Sequence, residues 1–119
     1  MVIQQGDVWW AELDEPSRSV AGYRRPVIVI QCDSVNQSRL GTTICVPLTS
    51  NLGWKMVRHN LHLPAATTGL PKDSVAQMSL IFAVNKAQLV ERVGQIPARQ
   101  LARLFECLDI VLGRSTGTA

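Results

Sequence analysis

The pattern of apolar and polar residues changes along the chain from a period of about two, typical of strands, to a period of about 3.6, typical of helices. Near the start, residues 8–13 and 27–30 are rich in strand-forming side chains. The second run is continuously apolar, so we expect a strand that opens at Pro26 and is covered on both faces. The intervening segment, DEPSRSVAGYRR, is polar and rich in turn residues, which predicts a long exposed loop.

Further strands are predicted in the middle of the chain. Residues 42–50 alternate, which places Ile44, Val46 and Leu48 on one face of a strand. Residues 74–82 alternate in the same way and predict one continuous strand, with Leu80 on the same side as its other apolar residues. Shorter predicted elements are a helical turn within residues 33–39, a strand with Leu61 and Leu63 facing inward, and a strand over residues 89–93.

The last part of the chain predicts one amphipathic helix. Pro97 suits a first helical turn, and Gly113 suits the residue that follows a helix. Strands followed by one packed helix favour the α+β class, as an antiparallel sheet or small barrel. We therefore predict a single domain over residues 1–113 and a flexible tail over residues 114–119. The apolar stripe of the helix consists of Leu101, Leu104, Phe105, Leu108, Val111 and Leu112.

The composition is that of an ordinary globular protein. A chain of 119 residues can form one hydrophobic core, and its apolar stretches are too short to span a bilayer. The N-terminus lacks the features of a secretion signal, so a cytoplasmic protein is expected. Three widely spaced cysteines without a CxxC or HxxxH pair argue against a disulfide framework and a metal site. The net charge of +3, with arginine the main base, hints at an anionic partner.

Common catalytic motifs are absent from the sequence, including a glycine-rich phosphate loop, HExxH and GxSxG. His59 and His62 are three residues apart, so on a strand they would point to opposite faces and could not readily share a substrate. Two strand ends remain as candidate sites, one with Arg25 and one with Thr49 and Ser50. A guanidinium and a hydroxyl there could stabilise a phosphoryl centre under attack. A salt-bridged strand end and a capped turn would account for the same residues.

An ordered set of motifs resembles the MazF/PemK family of toxin endoribonucleases. The segments are GDVWWAEL, RRPVIVIQ, VPLTSN, LPKDSVA and VNKAQLVERVGQIP, and they cover nearly the whole chain. The resemblance implies an SH3-like small barrel of antiparallel strands, of the CcdB/PemK type, with a five-stranded sheet and a C-terminal helix. It also implies a homodimer that cuts single-stranded RNA, either messenger or transfer RNA, without a metal ion or another cofactor.

The resemblance also assigns roles to residues. The arginine before the proline of the RP pair and the threonine of the P-x-T strand end carry catalysis, and here they are Arg25 and Thr49. The ribose 2′-hydroxyl would act as nucleophile and leave a 2′,3′-cyclic phosphate and a 5′-hydroxyl. Many relatives carry Gly-Ser-Glu in the first loop, where this chain lacks the glutamate, so the general base is not identified. Substrate binding is assigned to Arg18, Ser19, Arg24, Ser50 and Asn51.

The resemblance also bears on the partner of the protein and on alternative functions. The family resemblance implies a cognate MazE-like antitoxin whose acidic, initially disordered tail covers the RNA groove. Trp54 could stack a base or take part in a dimer contact. A gyrase inhibitor of the same fold is one alternative function, although that branch resembles chains whose helix ends in Trp-Gly-Ile and this chain does not. A non-catalytic barrel that binds nucleic acid or protein is another.

Overall fold

The computed structural model describes residues 2–13 and 23–115. Strands dominate these residues, and short 3₁₀ turns join some of the elements. The strands are β1 (Asp7–Leu13), β2 (Tyr23–Val29), β3 (Thr42–Thr49), β4 (Leu61–Leu63), β5 (Ser74–Ala76), β6 (Phe82–Asn85) and β7 (Leu89–Gln95). The helices are α1 (Asp33–Asn36), α2 (Ala65–Thr68) and α3 (Ala98–Val111).

The strands form one antiparallel sheet in the order β4-β5-β3-β2-β1-β7, with β6 paired to β3. Strand β3 is shared, because its first half pairs with β6 whereas its end pairs with β5 at Leu48 and Thr49. This architecture confirms the predicted α+β fold, a small barrel-like antiparallel sheet with a C-terminal helix. Five of the strands, β1, β2, β3, β6 and β7, pair with one another as the five-stranded sheet that the resemblance implies. Strands β5 and β4 extend it from the end of β3, so the described part of the sheet has seven strands.

Alternation along the strands gives the sheet two buried faces. Val8 and Ile28 are fully buried in one apolar cluster, which Leu104 of α3 also joins. Trp9 and Val27, their neighbours in sequence, pack into a second cluster. Because successive side chains of a strand point to opposite sides, the two clusters lie on opposite faces. The prediction that residues 27–30 are covered on both faces is confirmed, since all four residues are buried.

Helix α3 covers the first cluster and matches the predicted helix closely. Pro97 is its N-cap residue, and Gly113 follows the helix with a φ of +71°. Leu112, the last residue of the predicted stripe, is 56% exposed because the helix has ended before it. Within the described ranges no helix is long and apolar enough to cross a membrane. Residues 116–119 of the predicted tail lie outside the described residues.

Strand β2 begins three residues earlier than the sequence predicts. Tyr23 is its first residue, and Pro26 lies inside the strand opposite Trp10 of β1. Proline is tolerated there because β2 pairs with β3 only from Val27 onwards, so Pro26 has a ladder partner on one side alone. The correction matters for function, because it places Arg25 within the strand rather than ahead of it.

The predicted continuous strand over residues 74–82 is wrong. The chain forms β5, then a 3₁₀ turn at Met78–Leu80, and then β6. The turn is required because β5 pairs with the end of β3 whereas β6 pairs with its beginning. The Leu80 amide donates to the Gln77 carbonyl (3.0 Å), and the Leu80 side chain is 50% exposed instead of inward. Ile44, predicted to share a face of β3 with Val46 and Leu48, is 42% exposed, whereas those two residues are buried.

Candidate active site

A cavity of about 520 Å³ opens where β2 begins and β3 ends. Arg25 contributes to it from β2, and Thr49 and Ser50 contribute from the end of β3. The segment that leads into β5 also contributes to the lining. The structure therefore brings together the two strand ends that the sequence singled out. The lining residues are Trp10, Tyr23, Arg25, Pro26, Leu48, Thr49, Ser50, Leu70, Pro71, Lys72 and Ser74.

Sheet register explains why Arg25 and Thr49 meet. The last β2–β3 pair at this end is Val27 with Pro47. Continuing the antiparallel register by two residues on each strand places Arg25 opposite Thr49, and cross-strand partners lie on the same face. Residues 24 positions apart in the sequence thus line one cavity because the two strands run in opposite directions. Both side chains reach the cavity from positions within their strands.

The Arg25 side chain is half-buried and is held by three hydrogen bonds. Its Nε donates to the Leu48 carbonyl (3.3 Å), Nη1 to the Tyr23 hydroxyl (3.3 Å) and Nη2 to Gln77 Oε1 (2.5 Å). All three acceptors are uncharged. These bonds hold the guanidinium in place, and none of the three partners compensates its positive charge. An anion-binding group requires this combination.

Thr49 is the last residue of β3 and pairs with Val75. Its hydroxyl oxygen accepts a hydrogen bond from the backbone N–H of Asn51 (3.2 Å). This bond uses a lone pair and leaves the hydroxyl proton available for a second partner. Ser50 lines the cavity and is exposed. Asn51 does not line it; its side chain caps the 3₁₀ turn at Leu52–Met56 by accepting from the Gly53 amide (3.1 Å).

Arg24 lies apart from the cavity, unlike its neighbour. It is exposed and forms an ion pair with Glu91 of β7, with 2.7 Å between Nη2 and Oε1. Its guanidinium carbon also lies 5.0 Å from the ring centre of Trp10, one of the cavity residues. The structure thus couples Arg24 to the edge of the cavity through Trp10 and pairs its charge with a carboxylate. Arg18 and Ser19, the other predicted binding residues, lie outside the described residues.

Sequence reasoning missed several residues of the cavity and its surroundings. Lys72 is a second cation on the cavity wall, and its presence in the LPKDSVA motif was the available signal. Tyr23 and Trp10 contribute aromatic surface. Gln77 was missed because it was assigned to the middle of a continuous strand, where nothing indicated a contact with Arg25.

The histidines lie outside the cavity lining. His62 is exposed on β4, and its Nε2 is 3.2 Å from Asp73 Oδ2. The Ala65 amide and His62 hydrogen-bond to the Asp73 carboxylate and lower its pKa. His59 is half-buried. In residues 2–13 and 23–115 no group of three or more His, Cys, Asp or Glu side chains is arranged to hold a metal ion.

Comparisons with known proteins identify relatives over nearly the whole chain. Residues 4–112 match the model of a protein family described as "PemK-like, MazF-like toxin of type II toxin-antitoxin system". The chain is 47% identical over 112 residues to Endoribonuclease MazF6 of Mycobacterium tuberculosis strain H37Rv, covering 94% of this chain and 98% of that protein. It is 28% identical over 112 residues to Endoribonuclease EndoA of Bacillus subtilis strain 168, covering 94% and 96%.

Solved structures resemble the fold at lower sequence identity. A MazE-MazF structure from Deinococcus radiodurans (Form-II) superposes with a TM-score of 0.79 at 24% identity, covering 97% of this chain and 99% of that chain. An endoribonuclease in complex with its cognate antitoxin, from Mycobacterial species, superposes with a TM-score of 0.74 at 16% identity, covering 96% of each chain. These likenesses independently support the barrel-like architecture.

Proposed function

The chain belongs to the family of PemK-like, MazF-like toxins of type II toxin–antitoxin systems, and we propose that it is a sequence-specific endoribonuclease acting on single-stranded RNA. The observation that carries the proposal is the shared cavity of Arg25 and Thr49, in which the hydrogen-bond partners of the arginine among the described residues are all uncharged. The sequence relatives reported above are named endoribonucleases, so the gyrase-inhibitor alternative is not favoured.

In the proposed reaction the substrate supplies its own nucleophile. The ribose 2′-oxygen attacks the adjacent phosphorus, the bond from phosphorus to the 5′-oxygen breaks, and the leaving oxygen takes up a proton. One proton is lost from the 2′-hydroxyl and one is gained by the 5′-oxygen, so the step is a transfer that yields a 2′,3′-cyclic phosphate and a 5′-hydroxyl. DNA lacks the attacking hydroxyl, which restricts the reaction to RNA.

The protein contributes mainly positioning and charge stabilisation. The Arg25 guanidinium donates to the phosphate oxygens on which negative charge accumulates during the attack. The Thr49 hydroxyl already accepts from the Asn51 amide, so its own proton is directed towards another oxygen of the same phosphate. Lys72 adds positive charge to the lining of the cavity. The general base is not assigned to a residue of the described ranges.

Partners are proposed on the same premise. We expect a homodimer that acts in the cytoplasm and is neutralised by a MazE-like antitoxin. Among the solved structures of similar fold are an endoribonuclease with its cognate antitoxin and a MazE-MazF structure, which supports this expectation. An acidic antitoxin segment would be attracted by the same cations that bind RNA.

Incubation of the pure protein with single-stranded RNA in excess chelator tests the proposal. The wild type should cut at a few sites and leave 2′,3′-cyclic phosphate ends detectable by mass spectrometry, and an RNA with 2′-deoxyribose at the cut position should remain intact. Arg25→Ala and Thr49→Ala should each slow cleavage on the order of a hundredfold or more. Exposed Arg39 provides a matched control, since Arg39→Ala removes the same charge away from the cavity.

Three results would overturn the proposal. They are an inactive wild type, cleavage of the deoxy-substituted RNA at the same bond, and cleavage by Arg25→Ala at the rate of Arg39→Ala.

A further inference from the structure

Gln77 is a buried polar residue at the junction between β5 and the following 3₁₀ turn. Its side chain is 8% exposed, and its backbone is fixed on both sides. The backbone N–H of Gln77 donates to the Pro47 carbonyl of β3 (3.1 Å), and the backbone carbonyl of Gln77 accepts from the backbone N–H of Leu80 (3.0 Å). The Cα of Gln77 therefore has little freedom to move relative to β3, the strand that ends at Thr49.

The side chain of this rigidly held residue is hydrogen-bonded to Arg25. Its Oε1 accepts from Arg25 Nη2 at 2.5 Å, while the Leu48 carbonyl accepts from Nε. Two acceptors on adjacent edges of a planar group fix both its position and the orientation of its plane. Both acceptors stand on the β3–β5 ladder, where Leu48 pairs with Ala76, the residue before Gln77. The guanidinium is thus clamped from one side by a single rigid unit.

The clamp leaves part of the guanidinium available. A guanidinium has five N–H groups, and three of those of Arg25 have acceptors among the described residues, one each on Nε, Nη1 and Nη2. One N–H therefore remains on each terminal nitrogen. The parallel N–H pair at the Nη1–Nη2 end of a guanidinium matches the spacing of two oxygens of one phosphate. The contact with Gln77 selects which N–H of Nη2 stays available for that purpose.

The chemical identity of Gln77 matters as much as its position. A glutamate would accept the same hydrogen bond but would add a negative charge beside the guanidinium. The adjacent Arg24 shows that arrangement, since Glu91 accepts from it at 2.7 Å. An amide oxygen orients Arg25 and leaves its positive charge uncompensated, which preserves its attraction for a phosphate in a half-buried site.

We propose that Gln77 is a positioning residue for the phosphate-binding site, orienting the Arg25 guanidinium through an uncharged acceptor so that its two outer N–H groups face the cavity. The inference rests on the proposed function for its link to cleavage. The orientation itself can be measured without any cleavage assay.

Two substitutions separate orientation from charge. Gln77→Met retains the length of the side chain but removes the acceptor, so Arg25 should lose its fixed plane and keep its charge. Gln77→Glu retains the acceptor but adds charge, so Arg25 should keep its plane while its electrostatic attraction for RNA falls. Gln37→Met is the matched control, because Gln37 is exposed and does not line the cavity.

Two readouts distinguish the variants. In nitrogen-edited NMR spectra, the restrained Arg25 of the wild type and of Gln77→Glu should show separate Nη resonances, which should merge in Gln77→Met. Binding of an uncleavable 2′-deoxy-substituted RNA should lose about one unit of salt slope in Gln77→Glu and none in Gln77→Met. Cleavage by Gln77→Met should fall about ten- to a hundredfold in kcat with KM changed less than about threefold, because a misplaced group costs rate more than affinity.

The outcomes are distinguishable from failure of the proposed function. If the wild type does not cut RNA, the proposed function fails, and the NMR comparison still decides the role of Gln77. If the wild type cuts RNA but Gln77→Met keeps both its Nη resonances and its kcat, the positioning role is wrong. An unchanged salt slope in Gln77→Glu would also overturn it. Should Gln77→Met not fold, Gln77→Glu alone carries the test through its salt slope.

Discussion

Arg24 and Arg25 are adjacent in the sequence, yet the structure gives them different chemical environments. Successive residues of β2 point to opposite sides, so one arginine reaches the cavity and the other reaches β7. Arg24 is paired with Glu91 in an exposed position, where an ion pair contributes at most about 1 kcal/mol. Arg25 has uncharged partners and is half-buried, where its charge is screened less by water.

Substitution of Arg24 should consequently affect binding and leave the chemical step nearly unchanged. We expect Arg24→Ala to raise KM a few-fold at low salt and to change kcat by less than about threefold, because its charge is already partly compensated. Steady-state cleavage measured at two salt concentrations would separate the two parameters. A loss of kcat as large as that of Arg25→Ala would show that Arg24 touches the reacting phosphate.

Some of the strands and helices could be predicted from the sequence, and others could not. Helix α3 and strands β1, β3 and β7 follow from local patterns, and the Arg25 and Thr49 strand ends follow from their place beside apolar runs. The β5–β6 break could not be predicted, because alternation continues through it and only pairing with both halves of β3 requires the turn. Gln77 was missed for the same reason. Its role depends on a register between distant strands, which no local pattern contains.

Close packing of β7 against α2 supports one wall of the cavity. A Cβ atom added at Gly94 would lie 2.8 Å from the Thr68 carbonyl oxygen, closer than real contacts allow. Thr68 is the last residue of α2, and the chain reaches the cavity residues Leu70 and Lys72 just after it. The absence of a side chain at Gly94 therefore determines how near the wall can approach the sheet.

Gly94→Ala should be destabilising, by about 1–3 kcal/mol, since the backbone of α2 would have to shift. The same shift should displace the cavity wall and slow cleavage. Urea unfolding measures the first effect, with Gly41→Ala as control because an added Cβ there meets nothing within 4 Å. Equal stability of the two variants would mean that the wall does not depend on this contact.

Asp73 fastens the segment between α2 and β5 in a pH-dependent way. Its carboxylate accepts from the Ala65 amide (2.9 Å) and contacts His62, and these interactions lower its pKa in the folded state. A lowered folded pKa means that the unfolded chain binds a proton more readily. The stabilising contribution is therefore complete above the unfolded value of about 3.9 and is lost as the pH falls through the folded value.

Asp73→Asn should accordingly be less stable than the wild type at neutral pH, and the difference should shrink as the pH falls below about 4. At low pH the wild-type carboxyl is itself protonated and resembles the amide. Thermal unfolding of both proteins across this range provides the measurement. A stability difference that stays constant or grows on acidification would contradict the assigned role of the charge.

Over the whole molecule, positive charge exceeds negative charge only modestly. Twelve Lys and Arg residues face nine Asp and Glu residues, which gives a net charge of +3. What matters is where the charge is left uncompensated. Arg24, Arg92 and Arg114 have carboxylate partners, whereas Arg25 has neutral ones and shares its cavity with Lys72. A small net charge can thus concentrate attraction for an anion at one site.

The same concentration of charge leads to a prediction about the proposed antitoxin. An acidic antitoxin segment and an RNA strand would both be drawn to the Arg25 and Lys72 cavity, so they should exclude one another. Fluorescence anisotropy of a labelled, uncleavable 2′-deoxy-substituted RNA should fall as antitoxin is added, and Lys72→Ala should weaken both ligands. Because both attractions are electrostatic, raising the salt concentration should weaken both. A stable ternary complex of toxin, antitoxin and RNA would place the antitoxin on a different surface, and inhibition would then have to act through the shape of the barrel.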